Sequence, residues 1–295
     1  MIPKPTIKTF KGVHMLRHAI LAACIAFPMT AQTTVIQPPT SASATETRSF
    51  PLKDGGRLNV ANVIGDIKIS AWDKDEVALT ASFKSNWWHG KHVCIKAKSY
   101  NDSLELIAEY PKGSNMFRSA SCEMELRAPQ RIVANINNLN SRIVLDSITG
   151  NIRANTLNGA IVLKNVSGDI NVNCLNSKIT LDSTTGNIRA KTLNGTTVLK
   201  NASGNISLET LNGTIMGDVQ NIEKYLDATT FNGSIELKLL NPPNGTLKIS
   251  TYKGNVKIPH GAKDASINDR NIIAKYGDES RTMNFKSFNG SIVVQ

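Results

Sequence analysis

Hydrophobic and polar residues alternate along most of the chain, and between residues 141 and 215 the pattern repeats in lines of nine residues. Each line opens with Gly or Ser, has Ile at its third position (Thr197 in one line), and has Leu, Val or Ala at its fifth. Apolar residues at alternate positions indicate a strand with one buried face. We therefore predict one short strand and one turn per line, with Gly supplying the positive φ of the turn.

A second period, twice as long as the first, overlies it. Leu-Asn pairs end every other line, and Thr or Ser ends the lines between them, which indicates two kinds of corner per coil. The fold class predicted is all-β: a parallel β-solenoid, or β-helix-like repeat, of 9-residue strand-turn units and about 18 residues per coil. Stacked amides are expected to form a structural Asn ladder. Its residues are Asn140, Asn158, Asn176, Asn194 and Asn212.

A third period of 36 residues points to a duplicated two-coil unit, because residues 139–174 and 175–210 are identical at 24 of 36 positions. Outside this array the strand pattern persists with less regular spacing. Four segments follow from these changes. They are a signal peptide at 1–31, a flexible Pro/Ser/Thr linker at 32–48, an irregular N-terminal β cap at 49–130, and a β-solenoid at 131–295.

The N-terminus has the pattern of an export signal. Four cations precede the apolar run 19–29, and Ala31 closes a small-residue cleavage site. Met15 is an alternative start, and "LAAC" at 21–24 is an alternative lipoprotein box that would leave a lipid on Cys24. We expect a periplasmic, outer-surface or secreted protein with no transmembrane helix after cleavage.

The charge balance is basic without a basic block. The formal charge is +11, and removal of residues 1–31 takes away four cations and no acid, which leaves 30 − 23 = +7. This pattern favours no nucleic-acid partner. A basic face toward anionic glycans is one hypothesis, and an ordinary solvated surface is the other. The face would comprise Arg153, Lys164, Arg189, Lys191 and Lys200.

Three cysteines follow the leader. Cys94 and Cys122 both fall in strand-like runs and are predicted to form a disulfide after export, whereas Cys174 is expected to stay unpaired. The stretch "NWWHGKHVC" at 86–94 is chemically unusual. It is either a ligand-contact patch, a zinc or copper site, or a structural loop. Its candidate contact residues are Trp87, Trp88, His89 and His92.

The sequence contains no strong motif for a metal site, a cofactor site or a catalytic site. His89 would point away from the strand face shared by His92 and Cys94, and the nonapeptide lines lack the glycines and stacked carboxylates of calcium-binding repeats. We therefore predict no metal and no cofactor. Asp146 and Asp182 occupy equivalent positions two predicted coils apart, a spacing marginal for a pair of catalytic carboxylates. Duplication alone explains their recurrence, so we predict no enzyme.

Four segments resemble the bacterial putative-adhesin domain family. They are "LNVANVIGDIKISAWDKDEVAL" at 58–79, "ELRAP" at 125–129, the alternating NG/SG array, and the closing NG-containing strands. The resemblance implies a β-helix-like repeat, export to the envelope, and no catalytic residues. The function predicted is an exported structural or adhesin-like binding protein of the cell envelope, with envelope glycans or proteins as partners. The alternatives are a scaffold that self-assembles through open solenoid ends and, less favoured, a polysaccharide lyase or hydrolase.

Overall fold

A computed structural model describes residues 32–295 except 39–42, 86–92, 111–119, 269 and 279. The all-β prediction is confirmed for this part of the chain, which consists of strands and turns and contains no helix. The signal-peptide prediction and Cys24 lie outside the described residues.

The strands fall into three groups in chain order. Before the array lie β1 (Gln32–Ile36), β2 (Ser43–Pro51), β3 (Arg57–Asn62), β4 (Ile67–Trp72), β5 (Glu76–Ser85), β6 (Cys94–Ser99), β7 (Ser103–Glu109), β8 (Ala120–Pro129) and β9 (Val133–Asn138). The array contains β10 (Ile143–Asp146), β11 (Thr149–Thr156), β12 (Ile161–Lys164), β13 (Ser167–Cys174), β14 (Ile179–Asp182), β15 (Thr185–Asn194) and β16 (Thr197–Asn212). After it come β17 (Ile215–Asn232), β18 (Ile235–Leu239), β19 (Gly245–Lys253), β20 (Val256–Lys257), β21 (Asp264–Asn268), β22 (Asn271–Tyr276), β23 (Thr282–Asn289) and β24 (Ile292–Val294).

The array strands pair in parallel with the equivalent strand two lines further along the chain. β10 pairs with β12, which pairs with β14, and this series places Ile143 beside Ile161 and Ile161 beside Ile179. β11 pairs with β13 and β13 with β15, so Ile152, Ile170 and Ile188 also stand in register. All of these isoleucines are buried. The two-line step therefore brings equivalent side chains next to each other in the core.

The Leu-Asn corners carry a continuous chain of side-chain hydrogen bonds. Asn158 Nδ2 donates to Asn140 Oδ1 at 2.8 Å, and Asn176 donates to Asn158 at 2.9 Å. The chain continues from Asn194 and Asn212 at 3.0 and 2.9 Å and extends to two residues beyond the array. Those two are Asn232 and Asn289. Each amide thus satisfies its neighbour along the direction of strand stacking.

Glycines at the two kinds of corner differ in backbone conformation. Gly168 and Gly186, at the Thr/Ser corners, have φ of 120° and 118°, as expected for glycine. Gly159 and Gly195, at the Leu-Asn corners, do not lie in this region, which corrects the prediction of a positive φ there. An added Cβ at either position would collide with a backbone carbonyl oxygen of the preceding Leu-Asn corner. Close backbone stacking therefore requires glycine at positions 159 and 195, whereas serine occupies the corresponding positions 141 and 177.

The linker predicted for 32–48 is wrong for the residues described there. β1 pairs antiparallel with β6, and β2 pairs antiparallel with β5 over nine residues. The β-branched residues Thr33, Thr34, Val35 and Ile36 suit an extended strand, and Pro/Ser/Thr composition obscured this in the sequence. Residues 32–36 and 43–51 therefore belong to the sheet.

Strand order departs from chain order near the C-terminus. β17 pairs in parallel with β23, and β23 pairs in parallel with β19, so residues 282–289 lie between 225–232 and 246–253. β22 then pairs antiparallel with β19, and β21 with β22. Among the described residues, this leaves β21 at the edge, with Ile267 67% exposed. The longer spacings after residue 215 therefore reflect an intercalated strand as well as longer loops.

Candidate functional site

An open groove of about 590 Å³ crosses the outward face of the sheet formed by β3, β9, β11, β13, β15, β16 and β17. Because the strands are parallel and in register, outward positions form straight rows across them. One row runs Asn135, Arg153, Asn171 and Arg189, and we call it the arginine row. The residues of this row line the groove.

A second row runs beside the arginine row. It contains Asn151, Asp169 and Asn187, which also line the groove. Asn187 Nδ2 donates a hydrogen bond of 2.6 Å to Asp169 Oδ1, and Asn205 Nδ2 donates one of 2.9 Å to Asn187 Oδ1. The side-chain amides thus fix the Asp169 carboxylate in place.

Arg57 on β3 and Tyr225 on β17 mark the two ends of the groove. Neither was a candidate from the sequence. Arg57 precedes the array. Tyr225 lies in an irregular part of β17, where β17 has two more residues than the paired strand β16 between the matched pairs Gly204↔Ile222 and Ile206↔Leu226. Arg57 could have been found from the sequence by aligning "RLNV" at 57–60 with the repeat. Tyr225 could not, because it lies in an irregular insertion that does not follow the period of the repeat.

Arg57, Arg153 and Arg189 make no ion pair with another described residue. This distinguishes them from Arg131 and Arg142, which pair with Asp54 and Asp66. With three arginines and one aspartate, the lining has a formal charge of 3 − 1 = +2. The side chains of Arg153 and Arg189 are exposed and therefore available to an anion.

The structure does not bring the five residues of the hypothetical basic face together. Arg153 and Arg189 share the arginine row, but Lys191 Nζ is paired with Glu209 Oε2 at 2.5 Å. Lys164 and Lys200 lie on β12 and β16 in a row where they alternate with aspartates. Only the two arginines of this set therefore contribute to the groove.

Asp146 and Asp182, the candidate catalytic carboxylates, lie in that alternating row. Lys164 stands in register between them. Each aspartate also accepts a hydrogen bond from the serine that follows it, at 2.9 Å from Ser147 and 3.1 Å from Ser183. The two carboxylates are thus separated by a cation and held by local turns, an arrangement that does not focus them on one substrate bond.

The remaining candidates from the sequence are the Trp/His stretch and the three cysteines. Trp87, Trp88, His89 and His92 lie outside the described residues. Cys94, Cys122 and Cys174 are free thiols in the structure. Burial, followed by the nearby Cys94 thiol, raises the pKa of Cys122 to about 12. The Cys94–Cys122 disulfide stays a prediction.

An exposed aromatic stack continues the row of Leu-Asn corners beyond the array. Phe231 and Phe288 stack with ring centroids 4.9 Å apart, and Tyr252 stacks on Phe288 at the same distance. The Arg270 guanidinium covers the other side of Tyr252 at 4.2 Å. This stack was not predicted from the sequence, although Phe231 and Phe288 both precede an Asn-Gly pair as the array leucines do.

Metal-binding clusters and membrane-spanning helices are both absent from residues 32–295 as far as the structure describes them. No three or more His, Cys, Asp or Glu side chains in it lie close enough together to hold a metal ion. No helix in it is long and apolar enough to span a lipid bilayer.

Comparison with known proteins gives remote structural likenesses. The chain matches no protein-family model, and no curated protein matches it in sequence. A putative adhesin from Bacteroides fragilis is similar at 12% identity and TM-score 0.38, over 88% of this chain and 100% of that one. A putative cell adhesion protein from Clostridium sporogenes is similar at 14% identity and TM-score 0.26, over 85% and 98%. A putative lipid binding protein from Parabacteroides distasonis is similar at 11% identity and TM-score 0.30, over 85% and 97%. Likenesses this remote carry no argument about function.

Proposed function

We propose that this chain is an exported, non-catalytic binding protein of the cell envelope, built as a parallel β-solenoid in which two lines of the repeat make one coil. The parallel pairing of β10, β12 and β14, and of β11, β13 and β15, at steps of two lines supports the solenoid. A solenoid presents long rows of repeated side chains, and such surfaces suit extended partners.

The groove carries the functional proposal. Three guanidinium groups without carboxylate partners face solvent along an open depression, where an anionic partner can reach all of them. Arg that is free of internal ion pairs is well suited to bind carboxylate or phosphate groups, because its planar fork donates two parallel hydrogen bonds. Among the described charged groups, Asp169 alone opposes this attraction within the groove lining.

Binding is favoured over catalysis by the arrangement of the acids. Asp146 and Asp182 belong to a row in which positive and negative side chains alternate, away from the groove lining. The groove itself has one carboxylate, Asp169, already bonded to Asn187. Hydrolysis of a glycosidic bond ordinarily needs two carboxyl groups flanking that bond.

Cell fractionation followed by a binding assay tests this function. We expect the chain in the periplasmic, membrane or secreted fraction, and expect the purified protein to cosediment with isolated envelopes. Binding should weaken strongly between ionic strengths of about 0.01 M and about 1 M, where the Debye length falls from ~30 Å to ~3 Å. A cytoplasmic protein, or one whose sedimentation with envelopes does not exceed that of a neutral control protein, contradicts the proposal.

A further inference from the structure

The spacing of the two exposed arginines indicates which anionic partner the groove would take. Arg153 and Arg189 are separated by one strand, β13, whose residue in the same row is Asn171. Two strand spacings correspond to about 9–10 Å. The row therefore offers a cation, an amide and a cation at a fixed interval, with a second line of amides from Asn151 and Asn187 beside it.

We propose that the groove binds a linear acidic polysaccharide that bears one carboxylate on every second sugar, lying along the direction of strand stacking. This inference rests on the proposed binding function and names its ligand class. An extended disaccharide repeat matches two strand spacings in length, so consecutive carboxylates meet Arg153 and Arg189. The sugar hydroxyls between them face Asn171 and Asp169.

The length of the groove favours a polymer over a small anion. Arg57 and Tyr225 are separated by six strand steps, from β3 through β9, β11, β13, β15 and β16 to β17. The span is about 29 Å, taking ~4.8 Å per strand. A small anion would contact one guanidinium, whereas a chain of several sugars reaches both ends. The Tyr225 ring lies at one end, where it can contact the apolar face of a sugar.

Asp169 favours a sugar polymer over a polyphosphate or nucleic acid. Its carboxylate lies in the row next to the arginines and is held by the 2.6 Å hydrogen bond from Asn187. A phosphate on every unit of a polymer would place a negative charge against this carboxylate. A polysaccharide charged on alternate sugars instead places hydroxyl groups there, and these can donate hydrogen bonds to it.

The test measures affinity of the full chain for four probe polymers at low ionic strength. Hyaluronan has one carboxylate per disaccharide, polygalacturonate has one per sugar, dextran is neutral, and inorganic polyphosphate has one phosphate per unit. We expect hyaluronan to bind most tightly and dextran to show no binding. Equal or tighter binding of polyphosphate overturns the inference, and so does hyaluronan binding no stronger than that of dextran.

Matched variants locate the site. Arg153→Gln combined with Arg189→Gln should weaken hyaluronan binding about tenfold or more, because charge-assisted bidentate hydrogen bonds are lost. Lys164→Gln combined with Lys200→Gln removes the same charge outside the groove and should change affinity less than about twofold. Equal losses in the two double variants overturn the inference. Circular dichroism should show that both retain the native strand content.

The Asp169→Asn variant provides an independent test, because the expected result is a gain of affinity rather than a loss. It should increase the affinity for polyphosphate several-fold, and by a larger factor than it changes the affinity for hyaluronan, because a charge that repels phosphate is removed. An unchanged polyphosphate affinity overturns the role assigned to Asp169. If the protein binds envelopes but not hyaluronan, the proposed ligand class is wrong and the proposed function stands. If it binds neither envelopes nor hyaluronan, the proposed function is wrong as well.

Discussion

Deletion of residues 159–194 is expected to leave a folded protein, whereas deletion of residues 159–185 is expected to abolish folding. The first removes four lines of the repeat, two coils of the proposed solenoid, and joins Asn158 to Gly195, so a Leu-Asn corner is still followed by its native type of glycine. The strands before and after the deletion then stack with the pairing found in the intact chain. Stability should fall only by the contribution of the units removed.

The shorter deletion removes three lines, an odd number, and joins Asn158 to Gly186. Gly186 has a φ of 118° in its own corner, whereas Gly159, which it would replace, lies outside the positive-φ region. In the proposed solenoid, every later strand would then occupy the opposite side of the coil, and the Asn ladder would break after Asn158. Thermal unfolding followed by circular dichroism checks both variants. If the two deletion variants were equally stable, one line of the repeat could replace the next, and this would contradict the proposed coil of two lines.

Gly186→Ala is expected to destabilise the protein by about 3 kcal/mol or more. It combines an unfavourable φ for an L-residue with a collision between the new Cβ and the carbonyl oxygen of Gly168. The neighbouring strands hold that carbonyl in the parallel ladder, so relief requires separating the two corners. The free energy of unfolding by urea denaturation measures the effect.

Two further alanine variants separate the causes. Gly195→Ala adds only the collision, with the Ser177 carbonyl, and should also cost several kcal/mol. Gly261→Ala adds only the φ strain, since φ is 85° and nothing lies within 4 Å of the new Cβ, and should cost about 1–2 kcal/mol. A loss for Gly186→Ala no larger than that for Gly261→Ala would contradict close stacking at the corners.

The regular part of the fold was predictable because its signal repeats. Ile152, Ile170 and Ile188 recur two lines apart in the sequence and are neighbours in the sheet, because each strand pairs with the strand two lines further along the chain. The strand order after β17 was not predictable in the same way. β23 and β19 both carry corner units compatible with β17, and sequence spacing does not determine which of them stacks first.

The candidate site was predictable only in part. Arg153 and Arg189 are equivalent residues of a duplicated unit, so their shared row followed from the longest period of the repeat. Lys164 and Lys200 lie outside the groove because they are on β12 and β16, in a row where aspartates occupy the equivalent positions of the paired strands. Tyr225 depends on an irregularity in β17 that interrupts the repeat.

Chemical-shift mapping by nuclear magnetic resonance tests whether the arginine row binds the polysaccharide. The isotope-labelled chain is titrated with a short hyaluronan fragment, and backbone amide shifts are followed residue by residue. We expect the largest changes along β11, β13 and β15, centred on Arg153, Asn171 and Arg189. Changes centred instead on Lys164 and Lys200, or on the aromatic stack of Phe231, Phe288 and Tyr252, would contradict this expectation.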